Sequence, residues 1–397
     1  MSSPAGHGVD PEHLGLFLIV GGAAVAPFLS RRLRVPAPVL EILYGAALFH
    51  SLLREQPDWF QLLRELGFLY LMFIAGMELD LRDLLGSRRP LWYVFAAASS
   101  LGLAAGAFWA AGAPPYLGLS AAMISAGIVI PVLKETGLSR APLGRDIAGT
   151  ALVGEVLCIL VLTAVDTYAA YGVSLDALWM LVKLAGLLAA ATAALKAIYL
   201  LGWWHPEWVE RVMTSQDPAE EGIRGVIVLA FAGAVLAEAA GVEPILGSFM
   251  AGLITTHVFP SKGMFEDKVN AVGFGFFTPF FFVGVGADLR PELLTDPGVV
   301  AWAGILTLTA VGSKLPAAAV ARALGHGVQG GLQLGLLLAA PLSMMVVAGA
   351  LGERMGLLTP RHTGALVLAA MASSLACPYL FRALVERRAL EEAATET

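Results

Sequence analysis

Thirteen apolar runs of membrane-crossing length follow one another along this sequence, with little polar chain between them. A helix needs roughly 20 mostly apolar residues to cross a bilayer, within a range of about 17 to 25. Cutting the chain at its charges and turn residues leaves runs at about 14–30, 37–53, 61–79, 91–111, 116–135, 144–170, 178–202, 222–239, 244–258, 269–289, 299–321, 331–352 and 359–385. Only Ala240 to Glu243 parts the eighth from the ninth. Of the 397 residues, 57% are hydrophobic and 14% charged, where a soluble domain would carry about 25% charged residues. The 44 glycines suit helices that pack through small residues. The pattern predicts an all-α polytopic membrane protein with the lipid bilayer as its surroundings. Met1 to Glu12 is polar and lacks a basic stretch, so no cleavable leader is expected and the first apolar run is kept as a helix. Cys158 and Cys377 both lie inside apolar runs, which predicts neither a disulfide framework nor a metal cluster.

The charges test the cut. Of the 25 Lys and Arg, seventeen fall at one set of alternate span ends, five at the other, and three within spans. The bias places the N-terminus outside and the C-terminus in the cytoplasm of an inner, or plasma, membrane. The polar loop Trp203 to Gly222 reads as a hinge between two six-helix halves. The expected organisation is a first repeat at 1–170 (spans one to six) and a linker at 171–221 (span seven and the loop). A second, inverted repeat follows at 222–386 (spans eight to thirteen), then a cytoplasmic tail at 387–397. No regulatory domain, nucleic-acid partner or cofactor is expected.

Matching irregularities support the pairing. Span five carries Gly127 and Pro131 at mid-membrane, and span twelve carries Pro341 at a similar depth. Proline removes a backbone donor and clashes with the preceding turn. The bland alternative is a pair of ordinary membrane proline kinks. Interruptions at corresponding positions of two halves favour broken helices crossing at a midplane site.

Glu155 lies in the nearly unbroken apolar run Gly149 to Val161. It is eleven residues past Gly144, about 16 Å along a helix and so near mid-bilayer. An unpaired carboxylate there is costly and tends to be protonated or neutralised. A group that exchanges a proton for a cation is what an antiporter needs; the bland alternative is a glutamic acid permanently protonated against a neighbouring helix. Lys314 is as deep, and either neutralises helix ends, pairs with Glu155, or acts as a second protonatable group. Ser125 and Ser343 stand at the two predicted breaks and offer hydroxyl oxygens to a small hard cation, though isolated membrane serines more often bond back to a carbonyl. Gly154 and Thr150 support the site from the Glu155 run. Glu238 is expected to be solvated, Lys183 and Lys196 to snorkel, and Cys158 to pack. His50 and His257 are read as incidental.

Three stretches carry a family resemblance. Leu66 to Leu81 reads Leu-Gly-Phe-Leu-Tyr-Leu-Met-Phe-Ile-Ala-Gly-Met-Glu-Leu-Asp-Leu. Leu236 to Leu253 reads Leu-Ala-Glu-Ala-Ala-Gly-Val-Glu-Pro-Ile-Leu-Gly-Ser-Phe-Met-Ala-Gly-Leu, and Phe276 to Leu289 reads Phe-Phe-Thr-Pro-Phe-Phe-Phe-Val-Gly-Val-Gly-Ala-Asp-Leu. Together they resemble the monovalent cation:proton antiporter-2 family, and the similarity runs over essentially the whole chain. The resemblance implies a homodimer of thirteen-helix protomers, each with a dimerisation domain and a core domain that moves its site like an elevator. It also implies one or two acidic residues in the sixth span, Asp-Asp or Asn-Asp in relatives, where this chain has Gly154-Glu155. Lys314 matches a lysine that pairs with the first, here absent, aspartate. Ser125-Ala126-Gly127 stands where a Thr-Ser-type break is usual, and Pro341-Leu342-Ser343-Met344 where Pro-Arg-Gly-Glu is frequent.

The expected function is therefore proton-coupled exchange of a monovalent cation, Na⁺ first and K⁺ or Li⁺ next. Glu155 binds proton and cation in turn, and the simplest stoichiometry is 1:1 and electroneutral. Two alternatives stand beside it: a carrier of an anion or organic solute on the same scaffold, and a sensor that transports nothing. An enzyme is not expected, since the spans hold no paired aspartates, no Ser/His arrangement and no His-Glu-x-x-His.

Overall fold

The computed structural model describes residues 11–33, 35–53, 56–77, 89–172, 221–240, 244–258, 264–289 and 295–395, with single residues between 179 and 193. Every regular element among them is helical. Helices α1 (Pro11–Leu33), α2 (Ala37–Leu48, extended by a π turn, Phe49–Leu53), α3 (Asp58–Met77) and α4 (Arg89–Ala110) cover the first four runs. The fifth run is split into α5 (Pro115–Ala121) and α6 (Ala126–Glu135), and α7 (Pro142–Tyr171) is the sixth. After the linker come α8 (Glu221–Ala239), α9 (Pro244–Val258), α10 (Met264–Val272), a π turn (Gly273–Phe277) and α11 (Thr278–Asp288). The chain then runs through α12 (Pro297–Gly312), α13 (Leu315–Ala323), α14 (Gly327–Leu338), α15 (Leu342–Arg354) and α16 (Pro360–Thr395). Among the described residues, nine helical stretches are long and apolar enough to cross a membrane, one bent pair (α14 and α15, 48°) passes together, and two apolar helices are shorter. These fall on twelve of the thirteen expected runs. The seventh run and the hinge loop lie outside the described residues, except single positions such as Lys183, which is exposed.

Proline sets many of the starts. It occupies the first two positions of α2, α5, α7, α11, α12 and α13, where its missing N–H costs nothing and its fixed φ suits a helix.

The interruption in span five is displaced from its expected place. The chain unwinds over Ala122–Ser125 and is helical again from Ala126, so Gly127 and Pro131 lie inside α6 rather than at the break. Pro131 has no N–H for the carbonyl of Gly127 in the first turn of α6, and the helix nonetheless continues through it to Glu135. In span twelve Pro341 caps α15, at the expected position. A third interruption, at Ser313-Lys314 between α12 and α13, was not anticipated, although Pro316 signals it.

The helices form two packed groups. In one, α3 lies against α9 and α11, α2 against α11 and α1, and α8 against α9. In the other, α4 packs on α5, α7 and α13, α14 on α13, and α16 on α12 and α15; the largest apolar core runs through both groups. The first group approaches backbone to backbone. A Cβ on Gly76 would stand 2.0 Å from the carbonyl oxygen of Phe249, and one on Gly252 2.0 Å from that of Phe73. Gly45 and Gly286 meet Val283 and Ile42 in the same way across α2 and α11. All four positions exclude any side chain, and close approach through small residues is how helices associate where lipid supplies no hydrophobic drive.

Candidate functional site

The unwound segment Ala122–Ser125 lies against the middle of α7, and side chains from distant parts of the chain take up its open backbone groups. Glu155, 1% exposed, accepts from the Ser125 hydroxyl (Oε1, 3.0 Å) and from the Ala126 N–H (Oε2, 3.2 Å). One turn further along α7, the Cys158 sulfur accepts from the Ile124 N–H at 3.3 Å. From the third break, Lys314 Nζ donates to the carbonyl oxygens of Ala122 and Met123, the latter at 3.2 Å. Ser125 caps α6 by accepting from Gly127 N–H (3.4 Å). Its Oγ also lies 2.9 Å from Ser343 Oγ at the start of α15. With the Ser125 hydrogen on Glu155, Ser343 is the donor in that pair.

Each buried charge therefore sits on the helix end that suits its sign. The carboxylate faces the N-terminus of α6 and the ammonium faces the C-terminus of α5, the arrangement favoured by the helix dipole. Lys314 and Glu155 make no ion pair; Lys314 is occupied by carbonyls instead. Gly154 turns its bare Cα toward Ile124, whose side-chain atoms lie 2.9 Å from where a Cβ would stand. The space at position 154 beside Glu155 is thus filled by an isoleucine.

The structure brings Glu155, Lys314, Ser125, Ser343 and Gly154 together. Thr150 is buried but gives its hydroxyl to the Asp146 carbonyl (2.7 Å). Cys158, read as packing, is a hydrogen-bond acceptor of the break. Glu238 is exposed. His50 bonds its own helix through Ala46 O (2.8 Å) and lines a cavity. Lys196 and the side chain of His257 lie outside the described residues.

Two cavities, of about 530 and 960 Å³, share Arg64, Asp288, Ala350 and Arg354, and no residue of the Glu155 cluster lines either. They are walled by α3, α11 and α15. Arg64 pairs with Asp288 (2.5 Å) and Arg354 with Asp166 (3.5 Å) at this mouth. A void of only about 10 Å³, at the limit of what one water needs and lined by Ile159, Leu162, Thr163, Asp166, Met344 and Val347 among others, shares Ile245, Val347 and Leu351 with the larger cavity. Glu155, Ile159, Leu162 and Asp166 are spaced i, i+4, i+7, i+11 and share one face of α7.

Two buried carboxylates escaped the sequence reading. Glu41 in α2 is 4% exposed, and Asp146 near the start of α7 is fully buried. Asp146 accepts from Arg89 Nη1 (2.9 Å), Tyr93 OH (2.5 Å) and His326 Nε2 (2.6 Å). Its position two residues inside a predicted span gave no warning, because charges at span ends are ordinarily solvated.

Comparison with known proteins agrees with this architecture. A Bacillus subtilis (strain 168) protein, YjbQ, provisionally named a Na(+)/H(+) antiporter, is 28% identical over 401 residues, covering 94% of this chain. The chain spans 63% of that relative's length. The Na(+)/H(+) antiporter of Enterococcus hirae is 24% identical over 389 residues, covering 94% of this chain and 97% of its own. Among solved structures, the sodium proton antiporter MjNhaP1 from Methanocaldococcus jannaschii at pH 8 superposes with a TM-score of 0.61 at 16% identity, covering 94% of this chain and 98% of that one. That likeness is one of fold. The family model described as sodium/hydrogen exchanger, transmembrane, matches residues 19–387, and on that match the chain belongs to the sodium/hydrogen exchanger family.

Proposed function

We propose that this protein exchanges H⁺ for a monovalent cation, Na⁺ first, at Glu155, with 1:1 electroneutral stoichiometry. The observation that carries the reading is the Glu155 carboxylate, buried on the N-terminus of a broken helix with two serine hydroxyls beside it. Protonated Glu155 is neutral. Ionised Glu155 with a bound cation is neutral as well. Only the empty carboxylate is charged, and burial makes that form the expensive one. Exchange is then coupled because neither ion leaves cheaply until the other replaces it.

In the cation-bound state, loss of the Glu155 proton frees a carboxylate oxygen for the ion. The Ser125 hydrogen turns toward Ser343, and Ser125 Oγ presents a lone pair; backbone carbonyls of the break other than those of Ala122 and Met123, which Lys314 holds, complete an oxygen shell suited to a hard cation. Lys314 stays on its carbonyls throughout, so one charge enters for each that leaves. The opening through the two cavities supports entry from the face bearing Arg64 and Arg354, outside in the orientation read from the charge bias. Two inverted six-helix repeats, elevator movement of the α4–α7 and α12–α16 group, a homodimer, and residence in the inner membrane of a bacterial-type cell complete the proposal. The engagement of Lys314 by carbonyls weighs against an anion carrier built on it.

The test is dissipation of an imposed pH gradient in proteoliposomes on adding Na⁺, Li⁺ or K⁺. Wild type should respond to at least one cation, at a rate indifferent to membrane potential. Glu155→Gln should give no response while remaining folded. A silent wild type, or an active Glu155→Gln, overturns the reading.

A further inference from the structure

We propose that Asp146 and His326 are positioning residues for the exchange site, acting through α13 on Lys314; this rests on the reading of Glu155 given above. The inference begins with the corner between α13 and α14. Gly325 and Gly327 flank His326 with φ of +93° and +68°, values that only glycine adopts without strain. Gly325 N–H bonds to Arg322 O (3.0 Å) and His326 N–H to Ala321 O (3.1 Å). These are the two bonds of a Schellman close. The His326 backbone is therefore part of the end of α13, and its imidazole extends from a fixed platform.

That imidazole donates to Asp146 Oδ2, while Arg89 and Tyr93 hold Oδ1. The groups on His326 and its acceptor are thus Asp146 from α7, Arg89 and Tyr93 from α4, and Arg322 one turn back on α13. Gly149 makes the approach possible, since a Cβ there would stand 2.6 Å from the Tyr93 ring. The carboxylate is fully buried and the His326 side chain is 13% exposed, so the His326–Asp146 bond is shielded from water, and charge-assisted bonds are stronger than neutral ones; Arg89 reaches Asp146 from a side chain 44% exposed.

At its other end α13 is capped by Lys314, whose ammonium holds the carbonyls of the break. From Lys314 to Ala323 is nine residues, about 13.5 Å at the helical rise. From Asp146 to Glu155 is also nine residues, the same about 13.5 Å. Two struts, α13 and the first half of α7, are thus pinned together at one end by His326–Asp146. At the other end they grip the same unwound segment, one by Lys314 and one by Glu155 and Cys158. Releasing the first pin lets Lys314 slide relative to Glu155, which changes the oxygen cage offered to the cation without touching it.

The experiment measures the cation concentration for half-maximal exchange in proteoliposomes, together with the rise in melting temperature that Na⁺ produces. Both are taken for wild type, His326→Ala, His326→Gln, Lys314→Gln and the His326→Ala/Lys314→Gln double variant. His326→Ala should raise half-saturation at least about fivefold with a smaller change in maximal rate, and His326→Gln, which keeps a donor for Asp146, should restore most of it. In the double variant the two effects should not multiply, because they act through one contact. Should Lys314→Gln transport too little, the Na⁺-dependent melting shift supplies the cycle. Should His326→Ala fail to fold, Asp146→Asn must raise half-saturation instead. Wild-type half-saturation in His326→Ala, or effects that multiply, overturns the clamp while leaving Glu155 as the exchange site. A wild type that answers to no cation overturns both.

Discussion

Two regions of this molecule join their helices by opposite means. Around α3, α9 and α11, backbone touches backbone across Gly45, Gly76, Gly252 and Gly286, and the Ser248 and Thr256 hydroxyls of α9 donate to carbonyls of α3 beside those contacts. At the break in span five the backbone is pulled open, and Glu155, Cys158 and Lys314 reach in from other elements to satisfy it. The first arrangement leaves nothing for an ion to bind and tolerates no added atom. The second opens carbonyls and amides inside a membrane-crossing run, where the Ile124 and Ala126 N–H groups and the Ala122 and Met123 carbonyls are met by side chains from elsewhere. The comparison teaches where sequence change is lethal to folding and where it retunes chemistry.

Substitutions can break that contrast. Gly252→Leu should have the largest effect. Its side chain would meet the Phe73 carbonyl of a packed helix, and overpacking without a flexible neighbour should cost about 3 kcal/mol or more. Most of the folded, monodisperse fraction should disappear in size-exclusion chromatography of the detergent-solubilised protein. Gly154→Asn comes next, because its clash is with the movable side chain of Ile124. A loss of about 1–3 kcal/mol should appear as a lowered melting temperature, and Ile124→Ala in the same chain should recover much of it. Recovery by Ile124→Ala at position 154 but none by shortening Phe73 beside Gly252 would sharpen the contrast; equal recovery at both would dissolve it. The smallest effect should be Cys158→Ser, which keeps an acceptor for the Ile124 N–H and should change melting by under about 1 kcal/mol. Cys158→Val leaves that buried donor unsatisfied, at about 1–3 kcal/mol, and should also weaken the cation response.

The glycine-packed region was the easier one to read. The stretches that carry the family resemblance contain Gly76, Gly252 and Gly286, three of the residues at closest approach, so the motif and the packing requirement coincide. Apolar runs located twelve described helical stretches because bilayer thickness fixes their length. The site was legible in its members and less so in its geometry. Glu155 and Lys314 stood out as charges in apolar runs, and Pro341 marked its break. Ser125 was read at the break and caps α6, but Ala122-Met123-Ile124 contains no turn former, and the partners that hold it open arrive from α7 and from Lys314, which no local pattern encodes. That is also why Pro131 misplaced the break and why Cys158 passed for packing.

The burial of Glu155, the single carboxylate that both ions are proposed to use, has a consequence for kinetics. A proton and a cation cannot occupy that carboxylate at once. Under the proposed exchange the two ions must take turns, so initial rates plotted against either ion at fixed levels of the other should fall on parallel double-reciprocal lines.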